Sequence, residues 1–241
     1  MMAARARVLS NFTVDALRNW SVETDSAHLA RMTPAQQAGA LYGATLAAIK
    51  LRDYKEAQTL WLRLTDNVRT DAPGTRLARL LGVELRLAQN DGTAALVLLK
   101  NASDKSSTMS RAELFFAAQA LLQMGAKEPA ASGVAGAAAA SAMAAITQNL
   151  QTWVADHPRD AQAWQLLATA YAAEGRTLSS IRAQAEVNVA QLDYPAALSR
   201  FKTAQDWARK GGAGTDHFEA SIVDTRTRQV ELLVREQALE R

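Results

Sequence analysis

Asp160-Ala161-Gln162-Ala163-Trp164-Gln165-Leu166-Leu167-Ala168-Thr169-Ala170-Tyr171 is the stretch on which the reading of the chain turns. Trp164, Leu167, Ala168 and Tyr171 set large and small apolar side chains at helical spacing, and Glu174-Gly175 ends the segment. Just upstream, Trp153 and His157-Pro158-Arg159-Asp160 read as the close of a preceding helix. The pattern has companions elsewhere. Asp53-Tyr54-Lys55-Glu56-Ala57 runs through Trp61, after Tyr42-Gly43-Ala44-Thr45. Asp193-Tyr194-Pro195-Ala196-Ala197 runs through Phe201 and Ala204 as a near copy. Asn90-Asp91-Gly92-Thr93-Ala94-Ala95, through Leu99 and Ala102, is a weaker one.

Small residues at Ala57, Ala95, Ala168 and Ala197 let two helices of a pair approach closely, while the aromatic fills the gap to the next pair. Recurring large, small and turn positions are the signature of the tetratricopeptide (TPR) repeat, a helix pair of about 34 residues. The expected fold class is therefore all-α, an α-solenoid of TPR-like helical hairpins with about 10–12 helices. Three segments are expected: an N-terminal linker and helix over 1–32, TPR-like repeats over 33–211 with a loop insertion near 125–136, and a C-terminal capping helix over 212–241.

Composition agrees with helices. The chain of 241 residues is 49% hydrophobic but only 6% aromatic, with five prolines and twelve glycines, so alanine carries much of the apolar content. Periodicity places helices at roughly 13–20, 34–51, 54–66, 75–89, 92–101, 110–124, 137–156, 160–174, 177–191, 194–209 and 216–238. Thr33-Pro34-Ala35-Gln36 and Ser110-Arg111-Ala112-Glu113 are capping boxes, and Asp216-His217-Phe218-Glu219 resembles a third. Between Gly125 and Gly136 the expectation is a loop. In the last helix Val223, Val230 and Val234 form one stripe, with Asp224–Arg228 and Glu231–Arg235 pairs on the exposed side.

Function classes are narrowed mainly by exclusion. The net charge is +3, from 27 basic and 24 acidic residues without a basic run, so no nucleic-acid partner is expected. No stretch approaches the ~20 apolar residues of a membrane span, and the first residues lack the apolar core of a signal peptide. There is no cysteine, and His28, His157 and His217 are isolated, so neither an HExxH motif nor a cysteine-ligated metal site is written here. GxSxG, GxxxxGK and GxGxxG motifs are also missing. The chain is expected not to be an enzyme and to hold no cofactor; an enzyme with an unrecognised site is the competing reading.

One family resemblance stands out. Leu150 to Ala161 (LQTWVADHPRDA) with Ala163-Trp164-Gln165-Leu166-Leu167-Ala168, Ile181 to Glu186 (IRAQAE), Leu192-Asp193-Tyr194, and Ala220 to Arg226 (ASIVDTR) resemble the TPR region of BepA-like bacterial zinc metallopeptidases. Met2 to Leu9 (MAARARVL) is similar to the segment that follows their catalytic domain. The resemblance covers only the non-catalytic half and implies a module that binds clients or partners. Those would be unfolded outer-membrane proteins or the β-barrel assembly machinery, in the periplasm. It also implies that zinc belongs to a catalytic domain missing from this chain. A free-standing TPR scaffold or adaptor, cytoplasmic in that case, is the alternative.

Stacked TPR hairpins line a concave face with their first helices. Projecting the repeats puts Tyr42, Leu46, Lys50, Glu84, Phe115, Gln119, Gln123, Gln165, Thr169, Arg182 and Glu186 there as candidate contacts for protein or peptide partners. The surface so drawn has no dense clamp of Arg or Lys for a C-terminal carboxylate.

Overall fold

The computed structural model describes residues 1–11, 13–100, 109–127, 134–211 and 217–239. Within them every regular element is a helix, and consecutive helices pack on one another. The chain divides into two compact units, Met1–Met124 and Gly125–Arg241.

The first unit is built on α5 (Pro34–Lys50), which begins on the expected capping box. Gln36 N–H donates to Thr33 Oγ1 at 3.4 Å, and Thr33 N–H donates to Gln36 Oε1 at 2.9 Å. Before it come α1 (Met2–Ser10), α2 (Val14–Arg18), α3 (Trp20–Glu23) and α4 (Ser26–Leu29). The reading of one helix over 13–20 behind a linker is thus corrected. Thr13 and Asp25 each cap a short helix, Asn19 ends α2, and α1, α2 and α3 all lie on α5. The attachment point is a close approach: Trp20 rests on Gly43 of α5, where a Cβ would meet the ring at 2.2 Å. Then follow α6 (Tyr54–Asn67), α7 (Ala72–Ala88), α8 (Gly92–Lys100) and α9 (Arg111–Lys127). Ser110 and Glu113 form the second expected capping box at the start of α9.

The second unit holds α10 (Val134–Asp156), α11 (Ala161–Ala173), α12 (Thr177–Ala190), α13 (Tyr194–Arg209) and α14 (His217–Leu239). Its core joins Leu178 and Ala185 of α12, Ala197, Phe201 and Ala204 of α13, and Val223 and Val230 of α14. The expected loop at 125–136 is shorter than read, because α9 runs on to Lys127 and α10 starts at Val134. Alanine favours helix wherever nothing breaks it. Residues 128–133 between them, Asp216 of the third capping box, and Ala102 of the weakest repeat match lie outside the described residues.

One turn recurs and organises both units. Arg52, Asn90, Gly175 and Leu192 are left-handed, with φ of 60°, 59°, 73° and 62°. The next residue then donates its N–H back to the carbonyl of Ala48, Arg86, Tyr171 or Asn188, at 2.8–3.0 Å, closing the finished helix. That same residue opens the following helix. Asp53, Asp91 and Asp193 do so with a carboxylate that accepts from Glu56, Ala94 and Ala196 N–H. Four residues further on stand Ala57, Ala95, Ser180 and Ala197, none more than 5% exposed. With so little side chain there, the two helices of each hairpin cross closely.

The spacing of this turn differs between the units. In the first unit it joins α5 to α6 and α7 to α8, with an ordinary connection between. In the second it joins α11 to α12 and again α12 to α13, so α12 closes one hairpin and opens the next.

A second close approach yields a prediction. Trp61 of α6 lies against Gly82 of α7, where a Cβ would sit 2.6 Å from the indole, and its Nε1–H donates to Ala78 O at 2.8 Å. Gly82→Ala should gain about 1 kcal/mol of helix propensity yet lose about 1–3 kcal/mol through crowding and the strained indole bond. Urea titration is expected to show a less stable protein. An unchanged or raised midpoint would mean that the ring moves aside freely.

Candidate partner-binding surface

The candidate residues fall on both units, and four of them, Lys50, Glu84, Arg182 and Glu186, form ion pairs. In the first unit, Tyr42, Lys50 and Glu84 meet around Arg5 of α1. The Arg5 guanidinium donates to Tyr42 Oη at 3.2 Å and to Glu84 Oε2 at 2.8 Å, and Lys50 Nζ reaches Glu84 Oε1 at 3.4 Å. Burial pushes the Tyr42 phenol above its ordinary range, partly offset by the Arg5 charge. Burial also opposes the charge on Arg5, but the Glu84 carboxylate outweighs it and Arg5 is held more firmly protonated. Tyr42 is 3% exposed, so it braces α1 on α5 rather than facing solvent.

Phe115 is buried on α9, with the Arg111 guanidinium 4.2 Å above its ring. Gln119 is half-buried, and Gln123 donates its amide to Leu87 O at 3.1 Å, tying α9 to α7. A larger tie sits at the other end of α9. Glu113 receives Ser110, Arg76 and Arg79, the two arginines at 3.2 and 3.4 Å. Burial raises the Glu113 pKa, but the Ser110 hydrogen bonds and the Arg76 charge win, and the net shift is downward.

That direction fixes a pH dependence. A carboxyl whose pKa is lowered in the fold stabilises above its unfolded pKa, and the contribution fades as pH falls through the folded value. Glu113→Gln should therefore cost about 1–2 kcal/mol near neutrality and much less at about pH 3. Urea titrations at both pH values check this; an equal penalty at both would show that charge is not the cause.

In the second unit the four candidates separate. Gln165 and Thr169 are exposed along α11, with Thr169 Oγ1 donating to Gln165 O at 3.0 Å. Arg182 and Glu186 point instead toward α14. Arg182 Nε pairs with Glu219, and Arg226 grips Glu186 through Nε and Nη2, both at 2.7 Å. Glu186 is 5% and Glu219 7% exposed. The repeat projection treated α11 and α12 as one row, whereas the consecutive left-handed turns set them as antiparallel neighbours. Their faces look in different directions.

Sequence reasoning missed Arg5, Glu219 and Arg226 as partners in these pairs. No local signal marks them, because each reaches across a whole helix or more of chain. A cleft of about 350 Å³ in the first unit is lined by Leu17, Trp20, Ala44, Ala48, Leu60, Arg18, Asp53 and Glu56 among others, and one of similar volume lies between α13 and α14 in the second.

His28, His157 and His217 stand apart from any ligand set. His157 stacks on Trp153 with ring centres 4.1 Å apart, and Trp153 Nε1–H donates to Asp160 at 3.0 Å. Among the described residues no three His, Cys, Asp or Glu side chains come together as a metal site requires. Nor is any helix of the described residues long and apolar enough to cross a membrane. Compared with known proteins, the chain matches no family model and no curated protein sequence.

Proposed function

We propose that this chain is a non-catalytic, TPR-like α-solenoid module that binds other proteins or peptides. The repeated turn supports this reading most directly: Arg52, Asn90, Gly175 and Leu192 share one conformation, one closing hydrogen bond and one small buried residue downstream. A chain that repeats its turn repeats its helix crossing, and stacked hairpins present long surfaces rather than closed pockets. Gln165 and Thr169 on α11 are the candidate contacts left open to a partner. Side-chain amides and hydroxyls there suit the backbone of an extended segment, at modest affinity.

The narrower version rests on the sequence resemblance alone. In it the module is the client-binding part of a BepA-like periplasmic metallopeptidase, and its clients are unfolded outer-membrane proteins or the β-barrel assembly machinery. Fluorescence anisotropy with a labelled, unfolded β-barrel segment tests the binding claim. The expected Kd is in the micromolar range, weakened about fivefold or more by combining Gln165→Ala with Thr169→Ala while the circular dichroism stays unchanged. Binding indifferent to both substitutions would remove α11 from the account. Hydrolysis of casein by the purified chain would overturn the non-catalytic reading.

A further inference from the structure

Helix α1 lies where the repeat pattern puts a partner. Of the positions projected onto that face in the first unit, Tyr42 and Glu84 bond Arg5 of α1, and Lys50 shares the Glu84 carboxylate. Met1, Ala4, Arg5 and Val8 stand on one helical face and form the contact. Val8 is fully buried, while Met1 and Ala4 pack partly buried on the core of the first unit. Met2 and Leu9 on the other side are exposed.

Little else holds this helix in place. It has nine residues, and its N-cap Met1 makes no side-chain hydrogen bond. A free helix of that length is marginal in water, so α1 is helical because it is docked. Arg7 lies 4.4 Å from the centre of the Trp20 ring and pairs with Glu23, but its side chain is 63% exposed. Such a surface pair contributes little. Undocking also strands no charge. Lys50 stays on the Glu84 carboxylate at 3.4 Å when Arg5 leaves, and water takes up the Tyr42 hydroxyl.

We propose, on the reading of the chain as a peptide-binding module, that α1 is a displaceable strap over a helix-docking surface of α5 and α7. The partner that fits is a short amphipathic helix with an arginine followed three positions later by an aliphatic residue, as Arg5 is followed by Val8. Its guanidinium takes Glu84 and Tyr42, and its aliphatic side chain fills the socket of Val8. The charge of the surface selects that partner, since the acceptors offered are a carboxylate and a phenol oxygen. A tethered strap competes at an effective concentration of about millimolar. Only chains with α1 undocked accept the partner, so the apparent affinity falls by that fraction.

Hydrogen exchange on the unmodified chain tests release. Amides of residues 5–10 should exchange about a hundredfold faster, or more, than those of residues 46–50 in α5. Fluorescence anisotropy tests the surface, using a labelled peptide of residues 1–11 held helical by a covalent bridge between positions 2 and 6. Both positions are exposed in the chain. The peptide should bind the Arg5→Ala chain about tenfold more tightly than the unmodified one, because more of that variant has α1 undocked. Arg5→Glu in the peptide, or Glu84→Gln added to the Arg5→Ala chain, should weaken that binding about fivefold or more. Far-UV circular dichroism and unchanged exchange in α5 verify the fold of each variant. Residues 5–10 exchanging as slowly as α5 would overturn the strap. A peptide that binds Arg5→Ala no better, or is indifferent to its own Arg5→Glu, overturns the docking surface. Gln165 and Thr169 lie in the second unit, so binding of the β-barrel segment there succeeds or fails independently of these results.

Discussion

Phe201→Ala is expected to cost the second unit about 3–5 kcal/mol. The side chain is 0% exposed and is the one aromatic buried among Leu178, Ala185, Ala197, Ala204, Val223 and Val230, so it touches the cores of α12, α13 and α14 at once. Three of those neighbours are alanines. They have no length with which to close the void, so the cavity left behind stays open and the penalty lies toward the upper part of the range. Urea titration followed by circular dichroism checks it. A loss below about 1 kcal/mol would mean that the three helices repack and that Phe201 does not organise them.

Arg226→Ala is the second large effect, at about 3 kcal/mol. It leaves the Glu186 carboxylate, 5% exposed, without the two 2.7 Å bonds that compensate its burial. The figure sits at the lower end of what breaking a buried pair costs, because the Arg226 side chain is 31% exposed and water can reach the site. Glu186 hydrogen bonding holds the Arg226 proton more tightly, outweighing the opposing effect of burial. A cation with a raised pKa contributes fully below its unfolded value, and the contribution is lost as pH rises through the folded value. The penalty of Arg226→Ala should therefore be flat from neutral to moderately basic pH. Replacing both partners, as Glu186→Met with Arg226→Met, should recover most of the stability, since an apolar pair needs no compensation. If the double variant is no better than Arg226→Ala, the loss comes from packing and not from a stranded charge.

These two sites also mark where sequence ends as a guide. Local chemistry was readable. The capping boxes at Thr33 and Ser110 form, and the aspartates at 53, 91 and 193 begin helices with Ala57, Ala95 and Ala197 buried four residues on. Each depends on residues within one turn of each other, where short spacing leaves few alternatives. The N-terminal helices were harder. In α1 only Val8 is buried, and part of what holds the helix is Arg5 reaching Glu84, a partner that no periodicity in Met2–Ser10 could indicate.

The candidate surface shows the same limit. Lys50 and Glu84 were placed on an open face for their repeat positions, yet Lys50 and Arg5 share the Glu84 carboxylate. Arg182 and Glu186 were placed in one row with Gln165 and Thr169, although α12 is the helix next to α11 and a two-helix advance would lead from α11 to α13. The left-handed residues at Gly175 and Leu192 make α11, α12 and α13 successive neighbours. Leu192 is not a residue type that signals such a turn, since only glycine and, less often, asparagine or aspartate adopt it readily.

The proposed function requires that the chain hold other polypeptides. The most direct measurement is light scattering of an unfolded outer-membrane β-barrel protein diluted from denaturant, with and without this chain in several-fold excess. Suppressed aggregation, abolished when the chain is itself unfolded beforehand, is the predicted result. Scattering that rises equally in both, together with no anisotropy change for the labelled segment, would contradict it.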